Sequence, residues 1–161
     1  MKLYYSRNLN PVEDDRTLWE TDAIACRLSS ITKSDFWPTD DRAPELQMWI
    51  SWSTHHFTRA ASAFYWEYVV KPTFGDVSVD TRALEEATSE FHRFATVLED
   101  VLSNRTWLVH NQPSYADFRV ATALPFADAS KLPVRAYPRV MAWHERLCRY
   151  PAWSNPFEGL A

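Results

Sequence analysis

Ser114 and Asp117 stand three residues apart at the head of an apolar run, Phe118, Val120, Ala121, Ala123 and Leu124. That spacing is a capping box. The Ser114 hydroxyl is placed to accept from the N–H of Asp117, and the Asp117 carboxylate to reach back to the N–H of Ser114. Asp117 also falls in the first turn, where the helix dipole favours negative charge. Pro113 and Phe118 are positioned as a hydrophobic staple. Only Arg119 brings charge into the run before Pro125. A short helix that is apolar on most sides must be buried, and burying it requires other helices around it. Ser114 and Asp117 therefore read as a structural N-cap rather than as catalytic groups, since no histidine stands beside them in the chain.

The remaining chain supplies those helices. Its 161 residues suit one ordinary domain with a real core. The only glycines are Gly75 and Gly159, which excludes Gly-rich phosphate loops and argues against an all-β chain with many tight turns. From Pro44 to Val70, Leu46, Ile50, Ser53, Phe57, Ala60 or Ala61, Phe64 and Tyr68 recur at helical spacing. A second stripe on the same stretch holds Trp49, Trp52, His56, Arg59, Ala63, Trp66 and Val70. It is either a wide core stripe with half-buried tryptophans or a binding wall or subunit interface. Asp80 or Thr81 is placed to cap a helix carrying Leu84, Ala87, Phe91, Ala95, Leu98 and Leu102. Pro138 suits the first turn of a last helix through Val140, Met141, Trp143 and Leu147. Pro151 should stop that helix and leave an irregular tail pinned by Trp153 and Phe157.

At the other end, Met1 to Ser6 alternates as a short strand, and residues 12–19 suit a hairpin turn with a second strand. A helix should start at Glu20-Thr21-Asp22 and run through Ala23, Ile24 and Leu28 to about Ser29. The expected class is mainly α, a helical bundle with a short N-terminal β-strand and hairpin.

Charge and composition narrow the function. The net charge of −4 comes without a basic patch, so nucleic acid is not the expected partner. Cys26 and Cys148 form neither a disulfide framework nor a zinc site. His55 and His56 are adjacent and point about 100° apart on a helix, so no metal is expected there. No signal-peptide core or membrane-length apolar run is visible, and the expected setting is soluble, reducing and cytoplasmic.

Several segments together resemble the cytosolic glutathione S-transferase family. MKLYYSRNLNP is similar to the first strand and active-site turn of bacterial members. Leu18-Trp19-Glu20-Thr21-Asp22-Ala23-Ile24 resembles the strand-to-helix motif where an acidic residue followed by Ser or Thr binds the γ-glutamyl end of glutathione. Val69-Val70-Lys71-Pro72 with Gly75, Ser114-Tyr115-Ala116-Asp117, and Tyr137-Pro138 through Pro151 resemble successive parts of the helical second domain. The resemblance implies a truncated thioredoxin-like remnant over residues 1–30 and an all-helical C-terminal-like domain over 44–161. No stretch corresponds to the first two helices, the second strand or the cis-proline strand of a full thioredoxin-like domain.

The same resemblance implies a function. The protein would conjugate the thiolate of glutathione to a small hydrophobic electrophile, with activity weakened or lost because the glutathione site is incomplete. Ser6, with Tyr5 and Asn8 nearby, matches the thiol-activating turn. Glu20 matches the ligand of the α-amino group, and Thr21 with its helix amides matches the ligand of the carboxylate. Each is equally an ordinary turn or cap residue. Trp52, His56 and Arg59, with Trp49 and Trp66 behind or beside them, match the wall of the electrophile pocket. That face, exposed without a complete first domain, implies a homodimer. The alternative is a non-catalytic helical module for binding or dimerisation.

Overall fold

The computed structural model of the protein describes residues 18–75, 77–156 and 158. The expected strand, Tyr5, Ser6, Asn8, residues 12–17 of the hairpin, and Phe157 lie outside the described residues. Leu18 and Trp19 are irregular, and the described residues contain no strand.

The helix expected at Glu20-Thr21-Asp22 is α1, Thr21–Thr32, and it runs three residues past Ser29. Lys33 ends it in the left-handed region at φ 51°, where the N–H groups of Lys33 and Ser34 return to the carbonyls of Ser30 and Ser29. The long signal from Pro44 to Val70 becomes a nearly continuous rod. It comprises α2 (Ala43–Trp52), a π turn (Ser53–Phe57), α3 (Thr58–Tyr65), a second π turn (Trp66–Val70) and a 3-10 turn (Lys71–Phe74). Leu46, Ile50, Ser53, Phe57, Ala60, Ala61 and Phe64 are buried along it, as the periodicity requires.

The far end departs from that pattern. Tyr68 is only half-buried, and Glu67 is the side chain that turns inward. A π turn carries more residues per turn than an α-helix, so the buried register slips by one position there. Glu67 tolerates burial because it is paired. It accepts from Lys71 Nζ at 2.8 Å and from the Asp80 N–H at 2.7 Å. Together these bonds hold its carboxyl below the ordinary range, the Lys71 contact contributing most. They also bind the end of the rod to the start of α4 (Thr81–Val101), whose N-cap Asp80 accepts from the Ala83 N–H at 3.0 Å.

Helices α3 and α4 pack through Phe57, Phe64 and Phe91, with ring centroids 5.4 and 6.2 Å from Phe91. In the middle lies α5 (Tyr115–Val120), continued as a 3-10 turn (Ala121–Phe126), with Ala116, Val120 and Ala121 wholly buried. A 3-10 turn (Pro133–Ala136) leads to α6 (Pro138–Leu147), which buries Val140, Trp143 and Leu147. The first amides of α6 are capped from another helix. The Glu99 carboxylate on α4 accepts from the N–H groups of Arg139 and Val140 at 3.0–3.1 Å. α6 ends at Leu147, before the expected stop at Pro151, and the tail beyond is not wholly irregular. Pro151 opens a one-turn helix, α7 (Pro151–Ser154), because a proline at N1 lacks only an N–H that would have been orphaned.

Candidate functional site

The platform for any site is the buried box at the head of α5. The Asp117 Oδ2 accepts from the Ser114 N–H at 2.9 Å and from the Ser114 hydroxyl at 3.1 Å. Its Oδ1 accepts from the Leu108 N–H at 2.9 Å and from the Trp143 indole N–H at 3.0 Å. One carboxylate thus closes the cap, anchors the loop before α5 and fixes the central tryptophan of α6. Burial pushes the Asp117 carboxyl above its ordinary range, and the four donors pull against that. The expected staple takes another form. Phe118 is covered by Phe36, Tyr150 and Trp153, with centroids 5.4–5.8 Å away.

Against this platform sits the N-terminus of α1. Glu20 is its N-cap residue in extended backbone, yet its side chain makes no capping bond. The Glu20 and Thr21 side chains are exposed. The next residue does the holding. Asp22 Oδ1 accepts from the Tyr115 hydroxyl at 2.6 Å and from Arg119 Nε at 3.2 Å. Arg119 continues to the Thr54 hydroxyl at 3.1 Å. Burial and the adjacent Asp22 charge raise the Tyr115 phenol well above its usual range, so it stays a donor. Two exposed polar side chains therefore flank a helix N-terminus whose second residue is tied to the bundle.

Asp22, Tyr115 and Arg119 were missed as a set by sequence reasoning. The available signal was Arg119, the one basic residue in a largely apolar helix, which demands a partner when half-buried. Nothing in the sequence says that the partner lies 97 positions away.

The aromatic stripe on the rod is not one surface. Trp49 is buried at 4 % exposure behind Trp52, with centroids 5.2 Å apart. Trp52 is half-buried between Phe57 (5.7 Å, stacked) and Phe94 of α4 (6.1 Å, edge-on). His56 is exposed and stacks on the same Phe94 at 4.8 Å. Arg59 is exposed one turn on. Trp66, half-exposed, sits at the far end of the rod against Phe74. The structure thus brings Trp49, Trp52 and His56 together and sets Trp66 apart. The stripe cannot be told from an ordinary core face by spacing alone, because α4 supplies Phe94 from across the bundle.

Two open surface depressions, one beside Thr81, Leu84 and Thr88 and one beside Ser154 and Asn155, touch none of these residues. Among the described residues no three of His, Cys, Asp and Glu are gathered as a metal ion requires, and no helix is long and apolar enough to cross a membrane.

Comparison with known proteins finds likenesses to this arrangement. Residues 82–146, from α4 to the end of α6, match the family model of the glutathione S-transferase C-terminal domain. Glutathione S-transferase 3 of Zea mays is 28% identical over 151 residues, covering 89% of this chain and 67% of that protein. Elongation factor 1-gamma of Danio rerio is 30% identical over 146 residues, covering 89% of this chain but 31% of its own length. The chain spans about half of the Oryza sativa relative, probable glutathione S-transferase GSTF1 (51%). Among solved structures, glutathione S-transferase III in its apo form superposes with a TM-score of 0.78 at 26% identity, covering 92% of this chain and 70% of that one. Box, rod and bundle agree with that likeness, and through its helical bundle the chain is similar to the glutathione S-transferases.

Proposed function

We propose that the protein is a glutathione S-transferase-like protein that binds glutathione at the N-terminus of α1. The observation that carries this reading is the pair Glu20 and Thr21, exposed and without side-chain hydrogen bonds to other described residues, at a helix start that Asp22 fixes to the bundle. The Glu20 carboxylate suits the ammonium of the γ-glutamyl end. The Thr21 hydroxyl and the first-turn amides suit its carboxylate, at the positive end of the helix. No metal enters the chemistry. An unperturbed thiol has a pKa of about 8.5, so conjugation needs a donor that favours the thiolate. We assign that role to Ser6, with Tyr5 and Asn8 beside it.

The thiolate then attacks a small hydrophobic electrophile, forming a carbon–sulfur bond as the leaving group departs with its electron pair. Trp52, His56 and Arg59 are the proposed wall, backed by Trp49, and Trp66 lies farther along the rod. In this reading residues 1–30 are a remnant of the thioredoxin-like domain and 44–161 the helical domain. The chain works as a homodimer in the cytoplasm.

A calorimetric titration with glutathione, repeated on Glu20→Ala, tests the proposal. Binding in the wild type that weakens about tenfold in the variant is the expected result, the scale of one charge-assisted hydrogen bond. No heat at millimolar glutathione refutes the enzymatic reading. The helical bundle would then stand as a binding or dimerisation module.

A further inference from the structure

We propose that α7 is a proton-released strap. Neutral His144 holds the Trp153 indole, and protonation of His144 undocks the one-turn helix Pro151–Ser154 from α5. Trp153 Nε1–H points at His144 Nε2 across 3.4 Å, and Cys148 Sγ lies 3.7 Å from the same nitrogen. With an indole N–H and a thiol converging on it, Nε2 carries the lone pair, and the ring is the neutral Nδ1–H form. The indole also packs edge-on against Phe118 at 5.4 Å, and Phe118 in turn meets Phe36.

Among the described residues, little else fastens the strap. Pro151, Ala152, Ser154, Asn155 and Pro156 are exposed, and the hydrogen bonds of α7 are local ones to the carbonyls of Tyr150 and Pro151. The turn Cys148–Tyr150 forms the hinge. A proton on Nε2 replaces an acceptor by a donor, and the imidazolium N–H then faces the indole N–H.

The surroundings set the direction of the switch. On α6 itself the neighbours of His144 are Glu145, whose charge favours protonation, and Cys148, a thiol that burial holds above its usual range. From α7 the facing group is the neutral Trp153, and α5 contributes the apolar Phe118 beyond it. Burial outweighs Glu145, so His144 titrates below its ordinary value. A base with a lowered folded pKa contributes docking free energy that is fully present above about pH 6.5 and is lost as pH falls from there toward the folded value.

The experiment is hydrogen exchange of residues 149–156 in the full chain at pH 7.5 and 5.0, corrected for intrinsic rates, with the His144 ring midpoint followed by NMR. Wild-type protection should fall about threefold or more at the lower pH. His144→Gln, which keeps an acceptor but cannot titrate in this range, should show a flat response. Trp153→Phe removes the donor that favours neutral His144, so the ring midpoint should rise. An equal fall in His144→Gln, or an unmoved midpoint in Trp153→Phe, overturns the proposal. The second result does so even if the glutamine variant folds poorly.

Discussion

Replacing Asp117 by alanine tests the account of the bundle most directly. The change orphans three N–H donors that cannot turn elsewhere, those of Leu108, Ser114 and the Trp143 indole, all in residues at most 3 % exposed. The fourth donor, the Ser114 hydroxyl, can rotate. A buried donor left unpaired costs about 1–3 kcal/mol, so the three together cost about 3–9 kcal/mol. Alanine also removes a buried carboxylate whose desolvation costs a few kcal/mol, leaving a net loss of about 3–5 kcal/mol. Domains of this kind have about 5–15 kcal/mol in all, so the variant would be barely folded. Asp117→Asn keeps the shape. With its carbonyl toward Leu108 and Trp143 it orphans only the Ser114 N–H, and the expected loss is about 1–2 kcal/mol. Urea unfolding, followed by tryptophan fluorescence and far-ultraviolet dichroism, reads both values with an unchanged slope. A loss below about 1 kcal/mol in Asp117→Ala, or an asparagine variant as damaged as the alanine one, would refute the bond-by-bond reasoning.

Other consequences are separable. Glu67→Gln should lower the urea midpoint at neutral pH and flatten its acid dependence. The lowered carboxyl pKa of Glu67 contributes stability above its ordinary value of 4.5 that is lost as pH falls through the folded value. Glu99→Ala uncaps α6 and should cost about 1 kcal/mol by the same unfolding assay, whereas Glu99→Gln, which keeps an acceptor, should cost less. Asp22→Asn weakens the charge-assisted bonds to Tyr115 and Arg119. Because Asp22 is 39% exposed, the stability loss should be about 1 kcal/mol or less, with faster amide exchange confined to α1 as the clearer signal.

The sequence disclosed the parts of this fold that local chemistry dictates. Ser114 and Asp117 announced a buried helix start because a capping box is written within four consecutive residues. Asp80 as N-cap and Pro138 at the first turn of α6 were legible for the same reason. Glu67 was not, because its burial depends on a π turn that helical periodicity does not contain. Glu99 was hidden for a different reason. It caps a helix 40 positions away, and a cap supplied from another element leaves no spacing to read. Pro151 was read as a stop when it is a start, an ambiguity that follows from having one residue type serve both ends of helices.

The candidate site divides along the same line. Glu20 and Thr21 were legible as a pair at a helix N-terminus, but that the Glu20 side chain makes no capping bond was not, and this distinguishes a candidate ligand from a cap. The structure explains it through Asp22. A helix held by its second residue does not need its N-cap side chain for docking, so Glu20 can point to solvent. The aromatic stripe makes the converse point. Trp49 and Trp52 had the spacing of a pocket wall, yet Phe94 of α4 meets Trp52 and Trp52 meets Trp49, so their stacking energy is spent within the bundle. A ligand on that face would meet His56 and Arg59 first, with Trp52 only at its edge. Substituting His56 should therefore perturb any electrophile bound there more than substituting Trp49, whose loss should register in stability.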